Sequence, residues 1–359
     1  MKSKPVTLHQ IAKAAGVSIG TVDRALNNRG RVAPETKERV LEAVQELGYT
    51  RNIFASSLSR NRPFCFSVIM PIPEGDAGYW KMPASGIRTA AEELAQFNVQ
   101  ISMHFYSILS NNSFSQCIQA ALENKADGLL IAPSGVINPD PMVTMIPHDI
   151  PYVFFDSIAE KLNPISSIGQ DAVRSGELAA RLISILTSAR EKLLIMLPVT
   201  GPSHIRSRVE TFTQAAKNTG FKQIIHETFN PTDTTEKLID QGCSILKKHK
   251  PNGIFVTNSF TYVFAEAKQQ IIPEEHIPLI GYDLIQENVH YLTTGVIDFL
   301  LSQRPYEQGY LGIMTLFRSI ILKEPVQKSV LLPIDIITKE SVDYYVQHIP
   351  IFPHSKITS

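Results

Sequence analysis

The sequence predicts an α/β protein: a two-lobed body of parallel sheets flanked by helices, preceded by a small all-α head. Three features carry that expectation. Residues 7–47 read as three short amphipathic helices. From Phe64 onward, short apolar runs alternate with helical stripes, the rhythm of βαβ units. That rhythm starts again at Lys192, giving two halves of like construction with a cleft between them.

At 359 residues the chain exceeds one ordinary domain, and 43% hydrophobic with 19% charged residues is enough to fill a sizeable core. The net charge of zero hides an asymmetry. Residues 1–62 hold eleven Lys/Arg against five Asp/Glu, so the head is basic by six and the remainder acidic by six. A basic head on an acidic body is what a phosphate-binding module joined to a different module shows. Cys65, Cys117 and Cys243 are odd in number and scattered, which gives no disulfide framework or metal spacing. Buried thiols in a reducing compartment are expected. The polar start, Met1 to Pro5, leads into a helix-like stretch without an apolar run, so no secretory signal and no membrane span are expected.

In the head, Thr7 is placed to cap Leu8–Ala15, with Gln10 completing a capping box. Leu8, Ile11, Ala12 and Ala15 share one helix face. Gly16 stops the helix and Ser18 caps a second one, whose Val22, Ala25 and Leu26 face inward and whose Ile19, Gly20, Asp23 and Arg24 face outward. Two helices joined this way form a helix-turn-helix or a plain helical hairpin; in the first case the second helix reads the major groove. Pro34 opens a third helix ending near Gly48, with Val40, Leu41, Val44 and Leu47 as its apolar stripe.

Thr7-Leu8, Ile11-Ala12, Ala15 to Ser18, Thr21-Val22, Arg24 to Asn27, Val32, Thr36, Val40 and Leu47 to Tyr49 resemble the head of the LacI/GalR family of bacterial repressors. The resemblance implies operator DNA as partner. It assigns phosphate and base contacts to Thr7, Ser18, Ile19, Gly20 and Thr21, then to Asp23, Arg24 and Asn27, with Arg31 and Tyr49 beyond them. It also implies a hinge helix from Asn52, in which Ala55 packs beside Leu58, the wedge each subunit of a dimer pushes into the minor groove. Three positions depart from the family: Arg51 replaces a proline, Ala33 a serine cap, and Asp23 a common serine. Asp23 either accepts from a cytosine amine or repels phosphate. Gly20 offers no side chain to a base edge, so readout leans on Ile19 and Arg24.

The body resembles the periplasmic sugar-binding-protein fold carried by the same family. Ligands bind such sheets at the carboxyl ends of strands. The resemblance places Asp156, Arg206, Asn258, Asp283 and Gln303 there as partners for ligand hydroxyls. Trp80, the only tryptophan, is expected either to stack on a sugar face or to pack in the core. Asp171 either caps a helix or touches ligand, and His204 either joins the site or lies in a solvent-facing loop.

The expected organisation is 1–51 head, 52–62 hinge and linker, 63–345 body and 346–359 tail. The expected function is that of a cytoplasmic, homodimeric, sequence-specific regulator, a repressor controlled by a small sugar-like effector between the lobes. Alternatives are a nucleobase or other non-sugar corepressor and, further off, a transport solute-binding protein. The chain shows no Gly-rich phosphate loop, no G-x-S-x-G elbow and no His-Glu-x-x-His, so no catalysis, cofactor or metal is expected.

Overall fold

The capping box at Thr7 sets the start of α1 (Leu8–Ala15) in the computed structural model. Gln10 N donates to Thr7 Oγ1 at 3.4 Å and Thr7 N donates to Gln10 Oε1 at 2.8 Å. Gly16, at φ 64°, closes the helix in the left-handed region that glycine tolerates. In α2 (Ile19–Asn27) the first-turn amide of Thr21 donates to Ser18 Oγ at 3.1 Å. In α3 (Pro34–Glu46) proline opens the helix and Ala33 supplies no side-chain cap. Ile11, Ala12, Ala15, Val22, Ala25, Val40 and Ala43 form the head's core. The third helix departs from expectation: Leu41 and Leu47 are 48% and 39% exposed, and the inward stripe is Val40, Ala43 and Val44. Leu41 sits about 100° around the helix from Val40, and Ala43 is small enough for α1 to lie against α3.

The structure describes residues 6–27, 30–47, 62–74, 76–108, 110–134, 140–157, 162–273 and 276–347. The expectations for Tyr49, Asn52, Ala55, Leu58 and the 346–359 tail beyond Gln347 lie outside them, as does the side chain of Asn27. The chain divides into two units, Met1–Asn61 and Arg62–Ser359.

The second unit is built of two lobes. The first holds β1 (Phe64–Pro71), α4 (Lys81–Leu94), β2 (Val99–Tyr106), α5 (Asn111–Glu123), β3 (Gly128–Ile131), α6 (Asp140–Val143), β4 (Tyr152–Phe155) and β5 (Ser166–Gln170). The chain then crosses over. The second lobe holds α7 (Ala172–Leu186), β6 (Lys192–Pro198), α8 (Ser203–Asn218), β7 (Gln223–Phe229), α9 (Thr235–His249), β8 (Gly253–Val256), α10 (Thr261–Ile271), β9 (Leu279–Tyr282), α11 (Gln286–Thr293) and β10 (Phe299–Ser302). A return crossing brings α12 (Pro305–Phe317) and β11 (Ser329–Leu332) to the first lobe. A third takes β12 (Asp335–Ile337) and α13 (Val342–Val346) to the second.

The sheet orders are β11-β5-β4-β3-β1-β2 and β12-β10-β9-β8-β6-β7. Strand for strand they match, so β4 corresponds to β9 and β5 to β10. Pairing is parallel throughout except at β12, which runs antiparallel to β10. The strands are apolar on both faces because helices cover both faces. Of the three thiols, Cys243 is buried and Cys65 and Cys117 are partly so.

The crossings are fastened to one another. Gln170 Nε2 donates to Ser302 O at 2.9 Å and Pro333 O at 3.2 Å, and Arg304 grips Asp335 through two bonds of 2.7 and 2.8 Å. Within the first lobe, α4 and α12 touch backbone to backbone at Gly86. A Cβ there would stand 2.0 Å from Tyr306 O. Gly86→Ala is therefore expected to cost about 1–3 kcal/mol, the usual penalty for overpacking, read as a lower denaturation midpoint of the full chain at unchanged slope.

Candidate functional site

Asp156 follows β4 and Asp283 follows β9, so the repeated topology puts the two carboxylates at corresponding strand ends. Their backbones match as well. Both have positive φ, 63° and 69°, and their amides donate to Ile168 O and Leu301 O, on the next strand over, at 3.1 and 2.9 Å. A left-handed aspartate is an uncommon conformation that the surrounding structure must hold in place.

One hydrogen-bonded chain connects these strand ends across the lobes. Gln308 on α12 accepts from Asp156 N at 2.8 Å and donates to Gln303 O at 2.8 Å. The Gln303 amide donates to Asp283 Oδ1 and Oδ2 at 3.1 and 3.2 Å, and its oxygen accepts from Arg208 at 2.9 Å. Arg208, 1% exposed, also donates to Thr257 O at 2.6 Å and Ser175 Oγ at 3.3 Å, and its guanidinium carbon lies 3.7 Å from the centre of the Tyr282 ring. Burial raises the pKa of Tyr282, so its hydroxyl stays protonated and donates to Ser175 Oγ at 3.0 Å. Gly176 makes the placement of Arg208 possible. α7 and α8 approach so closely there that a Cβ would stand 2.4 Å from Arg208 O.

On the first lobe, Asp156 Oδ1 accepts from Tyr79 at 2.8 Å and Oδ2 from Ser157 at 2.9 Å. Ser157 Oγ also lies 3.3 Å from Nδ1 of His204, on α8 of the second lobe, making a direct link across the cleft. Burial drives the His204 pKa down to about 4, against the pull of Asp156 and with the push of Arg208. The imidazole is accordingly neutral at neutral pH.

A cavity of about 70 Å³ lies between the lobes, lined by Trp80, Ile108 and Ser134 on one side and by Pro198, Thr200, Pro231 and Asn258 on the other. That is the room of roughly two waters. A roomier hollow of about 500 Å³, walled by Leu186, Leu246 and Ile271, holds none of this network.

Asp156, Asp283 and Gln303 thus share one hydrogen-bonded network, and Trp80 and Asn258 line the cavity between the lobes. Trp80 is 3% exposed and meets Tyr79 and Phe155 edge to face, so it packs in the core and lines the cavity at once. Asp171 caps α7, accepting from Arg174 N at 2.9 Å. Arg206 is not brought to the site. The helix opens at Ser203, and Arg206 faces outward beside Glu210 and Gln214. Two residues on, about 200° around the helix, Arg208 takes the inward position. The signal for it was present: Ile205, Arg208, Val209, Phe212 and Ala216 keep helical spacing on the buried face. Gln308 was missed in the same way, lying on the buried stripe of α12 with Pro305, Gly309 and Gly312.

In the head, Ile19 is 47% exposed and Ser18, Gly20, Arg24 and Arg31 are exposed, while Thr21 and Asp23 are half-buried. Arg24 bonds back along α2 to Gly20 O at 3.1 Å and Thr21 Oγ1 at 3.3 Å.

Two outcomes are expected. Arg208→Met lowers the unfolding free energy by about 3 kcal/mol, as when a buried charged donor leaves its acceptors unpaired, whereas Arg206→Met changes it by less than about 0.5 kcal/mol; urea denaturation separates the two. His204 binds protons less readily folded than unfolded, so stability holds above its ordinary pKa of 6.5 and declines as pH falls towards about 4. Melting temperatures across that window should show the decline, and His204→Gln should flatten it.

Residues 7–52 match the lacI family of bacterial regulatory proteins, and residues 66–324 match the periplasmic binding protein domain family. The transcriptional regulator DegA of Bacillus subtilis is 25% identical over 349 residues, covering 93% of this chain and 97% of its own. Catabolite control protein A of Priestia megaterium is 27% identical, covering 70% of this chain and 73% of its own. A protein assigned as a LacI transcriptional regulator from Bacteroides fragilis superposes on 79% of this chain and 100% of its own, with TM-score 0.72 and 28% identity. An Agrobacterium vitis transporter solute-binding protein, solved with α-D-tagatopyranose, shares the body's fold at TM-score 0.67 and 21% identity, over 80% of this chain and 98% of its own. With its helix-turn-helix head and two-lobed binding body, the chain belongs to the LacI family of DNA-binding transcriptional regulators.

Proposed function

We propose that the chain is a repressor that works as a homodimer in the cytoplasm, its operator affinity set by a small sugar-like effector held between the two lobes. The observation that carries this reading is the network from Asp156 through Gln308 and Gln303 to Asp283 and Arg208. It joins carboxylates at corresponding strand ends, one in each lobe. Carboxylates and amides in such a place match hydroxyls, and a site built to pair hydroxyls discriminates strongly against ligands lacking them. The solute-binding protein solved with a sugar has the same body fold, which supports the same ligand class.

For the head, base readout is assigned to Ile19 and Arg24, with Thr7, Ser18, Thr21, Asp23, Asn27 and Arg31 as phosphate or base contacts. Gly20 allows close approach. Tyr49 and the hinge residues Asn52, Ala55 and Leu58 complete the assignment from the family resemblance. The effector can act only through its differential affinity for the two body states. No catalytic step is assigned to any residue.

The test is operator selection from random duplexes, followed by fluorescence anisotropy on the selected sequence. Arg24→Ala should weaken the selected site by about 10- to 100-fold, the worth of a good base contact, and a sugar should shift wild-type affinity. Equal affinity for selected and random duplexes would remove the regulator reading. A shift caused by nucleobases and by no sugar would favour the corepressor alternative.

A further inference from the structure

We infer that the chain carries a second small-molecule site, on the hinge between the lobes, that takes an uncharged aromatic molecule of one or two rings. This site stands or falls independently of the effector assigned above. A cavity of about 240 Å³ opens beside the crossings. Pro305, Tyr306 and Glu307, at the start of α12, line it together with Leu284 and with Tyr344 and Tyr345 of α13. Ser302, Arg304 and Asp335, at the crossings themselves, complete the lining.

The lining comes from both lobes. A Cβ at Gly86 would stand 2.0 Å from Tyr306 O, and one at Gly309 would stand 2.3 Å from Pro83 O, so the start of α12 is fixed to α4 of the first lobe. Leu284 and Tyr345 pack instead into the core of the second lobe. Between the two the chain turns at Arg304, whose backbone is left-handed at φ 52° and ψ 51°. A change in the angle between the lobes therefore changes this cavity. An occupant favours the lobe angle that fits it, and shifts that angle only by its differential affinity for the two arrangements.

The charged groups here are occupied with one another. Arg304 donates through Nε and Nη2 to Asp335 at 2.7 and 2.8 Å, and its Nη1 lies 3.9 Å from Glu307. A charged ligand of either sign would have to break an ion pair to gain one. The rest of the lining is three tyrosines, a leucine and a proline. Tyr344 is 71% exposed, an aromatic ring at the surface beside a cavity. Tyrosine offers a large, rigid contact area at low conformational cost, and aromatic rings meet other rings edge to face or offset. Ser302, 5% exposed, supplies a polar anchor. Its oxygen accepts from Arg304 N at 3.2 Å, which leaves its proton for a ring hydroxyl or ring nitrogen. Volume sets the size: pockets for drug-sized molecules begin near roughly 300 Å³, so 240 Å³ suits one or two rings.

The experiment is isothermal titration of the full chain at neutral pH with phenol, indole and benzimidazole, and with cyclohexanol, benzoate and benzylammonium as matched controls. The best neutral aromatic is expected to bind with Kd on the order of 1 mM or tighter, as its size allows. It should bind about 10-fold more tightly than each control, which lacks a ring face or brings a charge to desolvate. Tyr306→Ala and Tyr344→Ala, one from each lobe and both checked for folding by circular dichroism, should each weaken binding about 3- to 10-fold, the worth of one aromatic contact. Tyr344 is exposed, so its replacement leaves the core intact. Silence from all three aromatics overturns the site. So does binding that either variant leaves unchanged. Cyclohexanol, benzoate or benzylammonium binding as tightly as the best aromatic overturns the ligand class. Binding that appears only after residues 348–359 are removed gives the cavity to that segment and overturns the small-molecule site.

Discussion

The body depends on one buried arginine. Arg208 is the point where three strand ends of the second lobe meet. It binds the carbonyl after β8, stacks on the last residue of β9 and holds the glutamine after β10. Without it those strand ends would be a set of buried acceptors facing one another. With it, Gln303 is oriented so that its amide meets Asp283, and its backbone oxygen is left for Gln308. The cation is thus spent on internal order.

Corresponding strand ends in the two lobes do corresponding work. Asp156 and Asp283 share a left-handed backbone and the same bond to the neighbouring strand. One register further along, Gln170 and Gln303 follow the same pattern in β5 and β10. Gln170 ties the crossings together, whereas Gln303 has become part of the site. The repeated framework has in this way supplied one residue that ties the crossings and one that joins the inter-lobe network from a single structural position.

Much of this was legible in the sequence. The head declared itself through caps and spacing, because a capping box and a glycine stop are local events that need no tertiary partner. The apolar strands β1, β3, β4, β6, β8 and β9 were equally plain, since burial on both faces leaves an unbroken apolar run. The edge strand β7 alternates exposed and covered residues, and β11 and β12 are short, so they gave little signal. The carboxylates came from the family resemblance, which singles out Asp156 and Asp283 at strand ends. The arginine assigned by resemblance, Arg206, stands two residues from the one the fold uses. Once Ser203 begins a helix, the spacing from Ile205 through Phe212 singles out Arg208. The hydrogen bonds of Tyr79, Ser157 and Ser175 could not have been read from sequence alone. Their roles come from elements that meet only after folding.

The fork between Arg62 and Asp127 bears on how the body would carry a mechanical load. Arg62, the first residue of this unit, holds Asp127 through two bonds of 2.9 Å, and the same carboxylate accepts from Cys65 N at 2.9 Å. The chain therefore enters the sheet at β1, an interior strand flanked by β2 and β3, and is clasped to the foot of β3 as it does so. Tension arriving along the chain from the N-terminal side would be shared between two parallel ladders pulled in shear, where many hydrogen bonds must fail together. It would not unzip an edge one bond at a time. A chain anchored in this manner passes a tug to the whole lobe as a rigid piece.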